Sequence, residues 1–207
     1  MGFRAAVRQA LAAPEGLTLA QRFAAPMVTV IVAEAAGGAH EQTALAELTS
    51  ALARVGLSRG RMMLLLAGTE PLDAAARASG RRLQEVLGIP VVLHDPIAAP
   101  CFEIGRLRDG TPIALDDELR EAEAIVLVGE YSRGSRTSRC AGPFSLVPGL
   151  ASPATHATFA TLGNRAGLVA QESFLAEVLT LVPIDLALVW DTSDPPLVRA
   201  GGVELLG

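Results

Sequence analysis

Residues 124–153, AIVLVGEYSRGSRTSRCAGPFSLVPGLASP, decide the fold of this chain. The apolar, β-branched run Ala124–Val128 predicts a buried strand, and Ser152-Pro153 predicts the N-cap and the first residue of a helix. About twenty residues join the two, which is more than a strand-to-helix connection needs. Ligands of open α/β sheets bind beyond the carboxyl ends of the strands, so we expect this connection to lie at a functional site.

The connection is basic. It carries Arg133, Arg136 and Arg139 among glycine, serine and threonine residues. Backbone N–H groups and guanidinium groups in such a loop suit a carboxylate or a phosphate. The chain has no phosphate-loop or dinucleotide motif, so a solvated loop with basic residues is an equally good interpretation. The three arginines are therefore candidate ligand-binding residues for a small anion.

The composition is that of one globular domain over residues 1–207. Half of the residues (50%) are hydrophobic and the mean hydropathy is +0.38, which is enough for a large core. A net charge of −5 argues against nucleic acid or an anionic membrane as a partner, because both need a basic face. No apolar run reaches the roughly 18 residues that span a bilayer. We expect a cytoplasmic protein whose Cys101 and Cys140 are reduced thiols.

Predicted strands and helices alternate along the first half of the chain. Apolar runs predict buried strands at 27–32, 62–67, 90–94 and, later, 184–190. Helical patterns predict helices at 3–12, 41–55, from about Glu70 to Leu87, 152–162 and 170–181, with a break at Gly163-Asn164. Asp109-Gly110 between two short extended runs predicts a hairpin. The predicted fold class is a single α/β domain with a mostly parallel sheet, helices on both faces and a β-hairpin insertion.

Polar residues follow successive predicted strands and meet at one edge of the sheet. Glu70 and His94 are candidate catalytic groups there, and Thr69 is a candidate ligand-binding residue. The plainer interpretations are that Glu70 stabilises a helix start and that His94-Asp95 forms a turn. Convergence of the three histidines on one metal would be a new site. We expect no metal site and place these histidines at the surface or in caps: His40, His94 and His156.

Several short motifs occur in an order and spacing that cover nearly the whole chain. The matching pieces are Ala67-Gly68-Thr69, His94-Asp95, Gly110-Thr111-Pro112, Glu121-Ala122-Glu123, Val128-Gly129 and Val147-Pro148-Gly149-Leu150-Ala151-Ser152. Together they resemble the N-terminal domain of the nickel-dependent lactate racemase family. In that family a nickel pincer nucleotide is tethered to a lysine, a histidine also ligates the nickel, and two other histidines move the α-proton of lactate.

The resemblance places other residues at every position of that chemistry. The tether lysine falls on Phe144 and the nickel-ligating histidine on Ala160, so no nickel pincer nucleotide is expected. The substrate-binding arginine falls on Gly37, and the two catalytic histidines fall on Glu70 and Gly134. The resemblance therefore implies the fold of the family without its mechanism.

Three hypotheses of function follow from the resemblance. The first is a stand-alone, degenerate relative, a pseudoenzyme silent for racemisation. It would act as a binding or partner subunit and form homo-oligomers or bind a partner chain where the second domain of the family docks. The second is an enzyme whose rebuilt site uses Glu70, His94 and the loop arginines on a small carboxylate or phosphate. The third, weakened by the missing lysine and histidine, is a racemase-like isomerase subunit that a partner chain completes.

Overall fold

A six-stranded sheet with helices on both faces organises the molecule. The computed structural model describes residues 2–25, 27–35, 38–130, 142–191, 193 and 196–202. The helices in that part of the chain are α1 (Phe3–Ala12), α2 (Leu19–Arg22), α3 (Ala39–Arg54), α4 (Ala74–Leu87) and α5 (Pro153–Leu181). The strands are β1 (Thr29–Glu34), β2 (Met62–Ala67), β3 (Val91–Leu93), β4 (Cys101–Arg106), β5 (Pro112–Asp116), β6 (Ala124–Glu130), β7 (Ile184–Trp190) and β8 (Val198–Gly201).

The main sheet has the strand order β3-β2-β1-β6-β7-β8. Its first five strands in this order are parallel, and β8 is antiparallel to β7. Strands β4 and β5 form a separate antiparallel hairpin, with Gly110 at φ +87° in its turn. The predicted fold class, a mostly parallel α/β sheet with a hairpin insertion, is confirmed.

The sheet is buried on both faces because successive strand residues alternate between two apolar cores. In β1, Ile31 and Ala33 face the first core, which also contains apolar residues of α1, α3 and α4. Val30 and Val32 face the second core, which the hairpin, segment 142–151 and α5 complete. Strands buried on both faces need nearly continuous apolar sequence, as the runs at β1, β2 and β6 show. None of the helices in the described ranges combines the length and apolarity needed to cross a bilayer.

Polar contacts join the start of the chain to β8. The backbone N–H of Glu15 donates to the carbonyl oxygen of Ala200 at 2.7 Å. The Arg199 guanidinium donates to both carboxylate oxygens of Glu15, at 2.7 and 2.8 Å. On the neighbouring helix pair, Arg8 of α1 makes a similar two-point contact with Glu47 of α3. These contacts fix α1 against α3 and fix the segment that follows α1 against β8.

Two local predictions are wrong. The helix after segment 142–151 continues through Gly163, and its non-helical residue is Gly167, at φ +75°. The start of α4 is at Ala74, where the Asp73 carboxylate caps the helix by accepting the Ala76 N–H at 2.7 Å. Glu70 is exposed and lies before this cap, so it is not the helix-start charge that the sequence suggested.

Gly149 lies where segment 142–151 meets β2, and this contact leaves no room for a side chain. A Cβ atom at Gly149 would lie 2.5 Å from the carbonyl oxygen of Ser145 and 2.9 Å from Cβ of Ala67. We expect Gly149→Ala to lower the free energy of unfolding by about 1–3 kcal/mol, measured by urea denaturation. Gly60→Ala is the matched control, because nothing lies within 4 Å of a Cβ there. Equal effects of the two substitutions would contradict this account.

Candidate functional site

The side of the sheet to which the chain adds strands changes between β1 and β6. From β1 the chain adds β2 and β3 on one side, whereas β6, β7 and β8 lie on the other. Open α/β sheets bind ligands at such a switch point, outside the carboxyl ends of the strands. Glu34 ends β1 and Glu130 ends β6, so two carboxylates lie at this edge.

A third carboxyl group, that of Glu41, reaches this edge from the first turn of α3. Glu41 is 5% exposed, and its Oε1 accepts the backbone N–H of Glu34 at 2.6 Å. Burial raises the pKa of Glu41 to about 8, against the opposing effect of the Glu34 N–H, and the charges of Glu34 and Glu130 raise it further. Glu41 is therefore mostly protonated at neutral pH and can donate a proton at the switch point.

The position of Glu41 in the sequence could have predicted its burial, although its residue type did not. Glu41 lies on the same helical stripe as the buried Leu45, Leu48 and Leu52 of α3. A carboxyl group in a row of buried apolar residues must lose water unless it finds a partner, so its pKa is raised. The position on the stripe therefore predicts burial.

A second polar group is built at the end of β3. His94 continues the β3 ladder by donating its backbone N–H to the Leu66 carbonyl oxygen at 3.0 Å. Its Nδ1 lies 2.6 Å from Oδ2 of Asp116, the last residue of β5, and the two residues are 1% and 2% exposed. The other oxygen of Asp116 accepts the N–H of Glu118 at 3.0 Å. An ionised carboxylate only accepts hydrogen bonds, so opposite an ionised Asp116 the Nδ1 of His94 is the donor.

The other ring nitrogen of His94 has no such contact. Nε2 is buried and has no hydrogen-bond partner within the described ranges. A buried imidazole that is oriented by a carboxylate and has one free nitrogen is the arrangement of a general base. The catalytic assignment of His94 stays a prediction.

Among the residues that the structure describes, no hydrogen bond or ion pair joins Thr69 or Glu70 to His94. Thr69 is half-buried and Glu70 is exposed. The loop arginines Arg133, Arg136 and Arg139, together with Gly37, Gly134 and Cys140, lie outside the described residues. The roles assigned to these residues stay predictions.

Cys101 lies beside the His94–Asp116 pair, because it is the cross-strand partner of Asp116 in the hairpin. Burial raises the pKa of the Cys101 thiol, and the negative charges of Asp116 and Asp117 raise it further. Cys101 is therefore a protonated thiol at neutral pH.

The three histidines occupy different surroundings, and the expectation that they lie at the surface or in caps is wrong for His94, which is 1% exposed. His40 is exposed and stacks on Phe3, with ring centroids 4.1 Å apart, whereas His156 is half-buried on α5. Across the described ranges, no group of three or more His, Cys, Asp or Glu residues is placed to hold a metal ion.

The positions that the resemblance assigns to a nickel pincer nucleotide do not fit that group. Phe144 offers no amine for a covalent tether, and its ring packs edge-on against Phe159 with centroids 6.1 Å apart. Phe159 in turn contacts Phe174 within the second core. Ala160 is exposed and has no atom that ligates a metal. An aromatic contact thus occupies the place of the tether.

Glu41 makes the stability of the domain depend on pH. Its pKa of about 8 in the folded state lies above the ordinary 4.5, so the folded state keeps a proton that the unfolded chain loses. This contribution is complete below about pH 4.5 and is lost as the pH rises through 8. In Glu41→Gln, the free energy of unfolding should fall less between these pH values than in the unchanged protein, as measured by urea denaturation.

Glu47→Gln is the matched control on the same helix. Contact with Arg8 lowers the pKa of Glu47, so its contribution is lost on acidification and not at higher pH. The Glu47→Gln protein should therefore keep the pH slope of the unchanged protein above its ordinary pKa. Identical slopes for Glu41→Gln and the unchanged protein would show that Glu41 is not buried as a neutral acid.

The His94–Asp116 pair should contribute to stability. Asp116→Asn replaces an acceptor oxygen by an amide donor or breaks the contact to Nδ1, which leaves a buried ring nitrogen unpaired. We expect a loss of about 1–3 kcal/mol in the free energy of unfolding. Asp117→Asn, which removes only a surface ion pair with Arg120, should cost less than about 1 kcal/mol. Equal losses of unfolding free energy in the two variants would mean that the buried pair contributes no more to stability than the surface ion pair.

Comparison with known proteins identifies a protein with a similar fold. The chain is similar in structure to the lactate racemase apoprotein from Thermoanaerobacterium thermosaccharolyticum, with a TM-score of 0.77 and 17% sequence identity. The superposition covers 99% of this chain and 53% of that chain, so this chain spans about half the length of the racemase. No family model matches the chain, and no curated protein matches its sequence. The chain therefore has a lactate racemase-like α/β fold.

Proposed function

We propose that this chain is a binding domain on a lactate racemase-like fold, for a small ligand or a partner chain, and that it is silent for nickel-dependent racemisation. The contact between Phe144 and Phe159 carries the proposal. A tether lysine at position 144 would have to present an amine, whereas Phe144 packs against the second core. Restoring the nucleotide would require a different side chain at this position and a ligand at Ala160.

The residues that support a binding role lie at the edge of the sheet and not in its core. The switch point between β1 and β6 is where this kind of sheet holds ligands, and it carries Glu34, Glu41 and Glu130. The buried His94 adds a polar group at the carboxyl end of β3. A binding domain needs such groups and does not need the nickel chemistry.

A second candidate function is an enzyme with a rebuilt site. The observation that favours it is the carboxylate-oriented imidazole of His94, which is the usual form of a general base. The substrate class in this proposal is a small carboxylate or phosphate, held by Arg133, Arg136 and Arg139. Loss of turnover in His94→Gln, with binding of the anion retained, would separate this function from simple binding.

The first proposal is tested by native mass spectrometry and metal analysis on one purified sample, together with a chiral assay of lactate. We expect the plain sequence mass, no stoichiometric nickel and no racemisation. Dimers or larger species of that mass would favour a partner role, and a monomer would favour a small ligand.

Two results would overturn the proposal. Stoichiometric nickel with a mass increment of a nucleotide would show that the pincer cofactor binds despite Phe144 and Ala160. Racemisation of lactate that survives removal of metals would show a different route to the same reaction. Repeating the assay on Phe144→Ala controls for the aromatic contact, because alanine removes the ring without supplying an amine.

A further inference from the structure

Glu41 joins the first turn of α3 to the end of β1 through one buried hydrogen bond. Its Oε1 accepts the backbone N–H of Glu34 at 2.6 Å, and the residue is 5% exposed. Glu34 is the last residue of β1, and α3 begins at Ala39. The contact therefore fastens the start of a helix to the end of the strand that precedes it in the chain.

The first turn of α3 has no side-chain cap. Its N-cap residue is Gly38, which makes no side-chain hydrogen bond to the helix. His40 and Gln42, on either side of Glu41, are exposed, and the His40 ring stacks on Phe3 of α1 with centroids 4.1 Å apart. Helix ends without a cap open more easily than helix interiors. Opening of this one turn is enough to bring the Glu41 carboxyl into water.

The charges that act on Glu41 are negative. They belong to Glu34 at the end of β1 and to Glu130 at the end of β6. The helices α1 and α4 also pack against α3. The titratable and charged residues of these three helices are Arg4 and Arg8 of α1, both in contact with Glu47, the exposed Arg77, Arg81, Arg82 and Glu85 of α4, and His40, Glu47 and Arg54 of α3. Across the part of the chain that the structure describes, none of these arginines forms an ion pair with Glu41.

The proton on Glu41 decides whether the closed contact is stable. Burial raises the pKa of Glu41 to about 8, so at neutral pH the carboxyl is neutral and needs no counter-ion. Once the proton is lost, a closed Glu41 holds a charge away from water and close to two other carboxylates, which is costly. Turning the side chain outward restores its water and breaks one hydrogen bond, whose N–H group then bonds to water. Opening is therefore the less costly way to ionise.

We propose that Glu41 is a proton-operated latch at the carboxyl edge of the sheet, which holds the first turn of α3 against β1 while it is protonated and releases this turn when it ionises. Release adds a negative charge at the switch point and frees the N–H of Glu34. The latch is a property of the fold and does not depend on the proposed binding function. Its effect on a ligand does rest on that function, because the open edge is more negative and favours cations over anions.

The test is the backbone amide signal of Glu34 in ¹⁵N-labelled protein as the pH is raised from neutral through 8. If Glu41 ionises in place, the hydrogen bond becomes charge-assisted and the amide proton moves to higher frequency. If Glu41 turns outward, the bond breaks and the proton moves to lower frequency. A second readout is the fluorescence of Trp190, the single tryptophan of the chain, whose ring lies edge-on to Phe3 with centroids 5.4 Å apart.

We expect the Glu34 amide proton to move to lower frequency with a midpoint at or below about pH 8. The emission of Trp190 should change over the same range, because release of His40 removes the stack on Phe3. The side chain in Glu41→Gln is neutral at every pH, so this variant should keep the closed signals throughout. Glu47→Gln, on the same helix, should titrate like the unchanged protein.

Three outcomes would overturn the inference. A shift of the Glu34 amide proton to higher frequency would show that Glu41 ionises without leaving its place. An amide signal that does not titrate in this range would show that Glu41 keeps its proton or never carries one. Loss of far-ultraviolet circular dichroism with the same midpoint would show unfolding of the whole domain instead of release of one turn. These readouts do not involve nickel, lactate or a ligand, so failure of the latch is distinguishable from failure of the proposed function.

Discussion

The structure depends on the burial of β1 on both faces and along both edges. Residues 29–34 pair with β2 on one side and with β6 on the other, and their side chains alternate between two apolar cores. A strand in this position has no contact with water along most of its length, so apolar side chains are needed almost throughout. The helices and the hairpin cover the two faces of the sheet.

Because the centre of the sheet is apolar, the polar side chains that could take part in chemistry lie at the ends of its strands. Polar side chains occur where strands end, and the buried ones are held by hydrogen bonds. Glu41 accepts the N–H of Glu34, and Asp116 holds His94. Each of these contacts joins a strand end to an element that covers one of the cores, α3 in the first case and the hairpin in the second. The same contacts that complete the packing therefore orient the groups that could act on a ligand.

The sequence predicted elements with strong local signals and missed contacts that arise only from tertiary packing. The strands at 62–67 and 184–190 have the predicted bounds, because short apolar runs bounded by polar or glycine residues are typical of buried strands. The break in α5 was misplaced because Gly163 stays helical beneath Gln171, whose amide donates to the Phe159 carbonyl oxygen. The partner of His94 could not be predicted, since the hairpin that carries Asp116 must first dock against the sheet. Residue type and spacing do not encode that docking.

The contact of Glu15 with Arg199 and Ala200 bears on how the chain is made. These residues are separated by 184 positions for the ion pair, so the contact cannot form until nearly all of the domain has been synthesised. Contacts of such long sequence separation carry a large loss of chain entropy and slow folding. Until β8 is added, the edge of β7 is open and α1 lacks one of its two supports. On the ribosome the nascent domain thus exposes the edge of β7 until β8 emerges, which is the interval in which chaperones would be most useful to it.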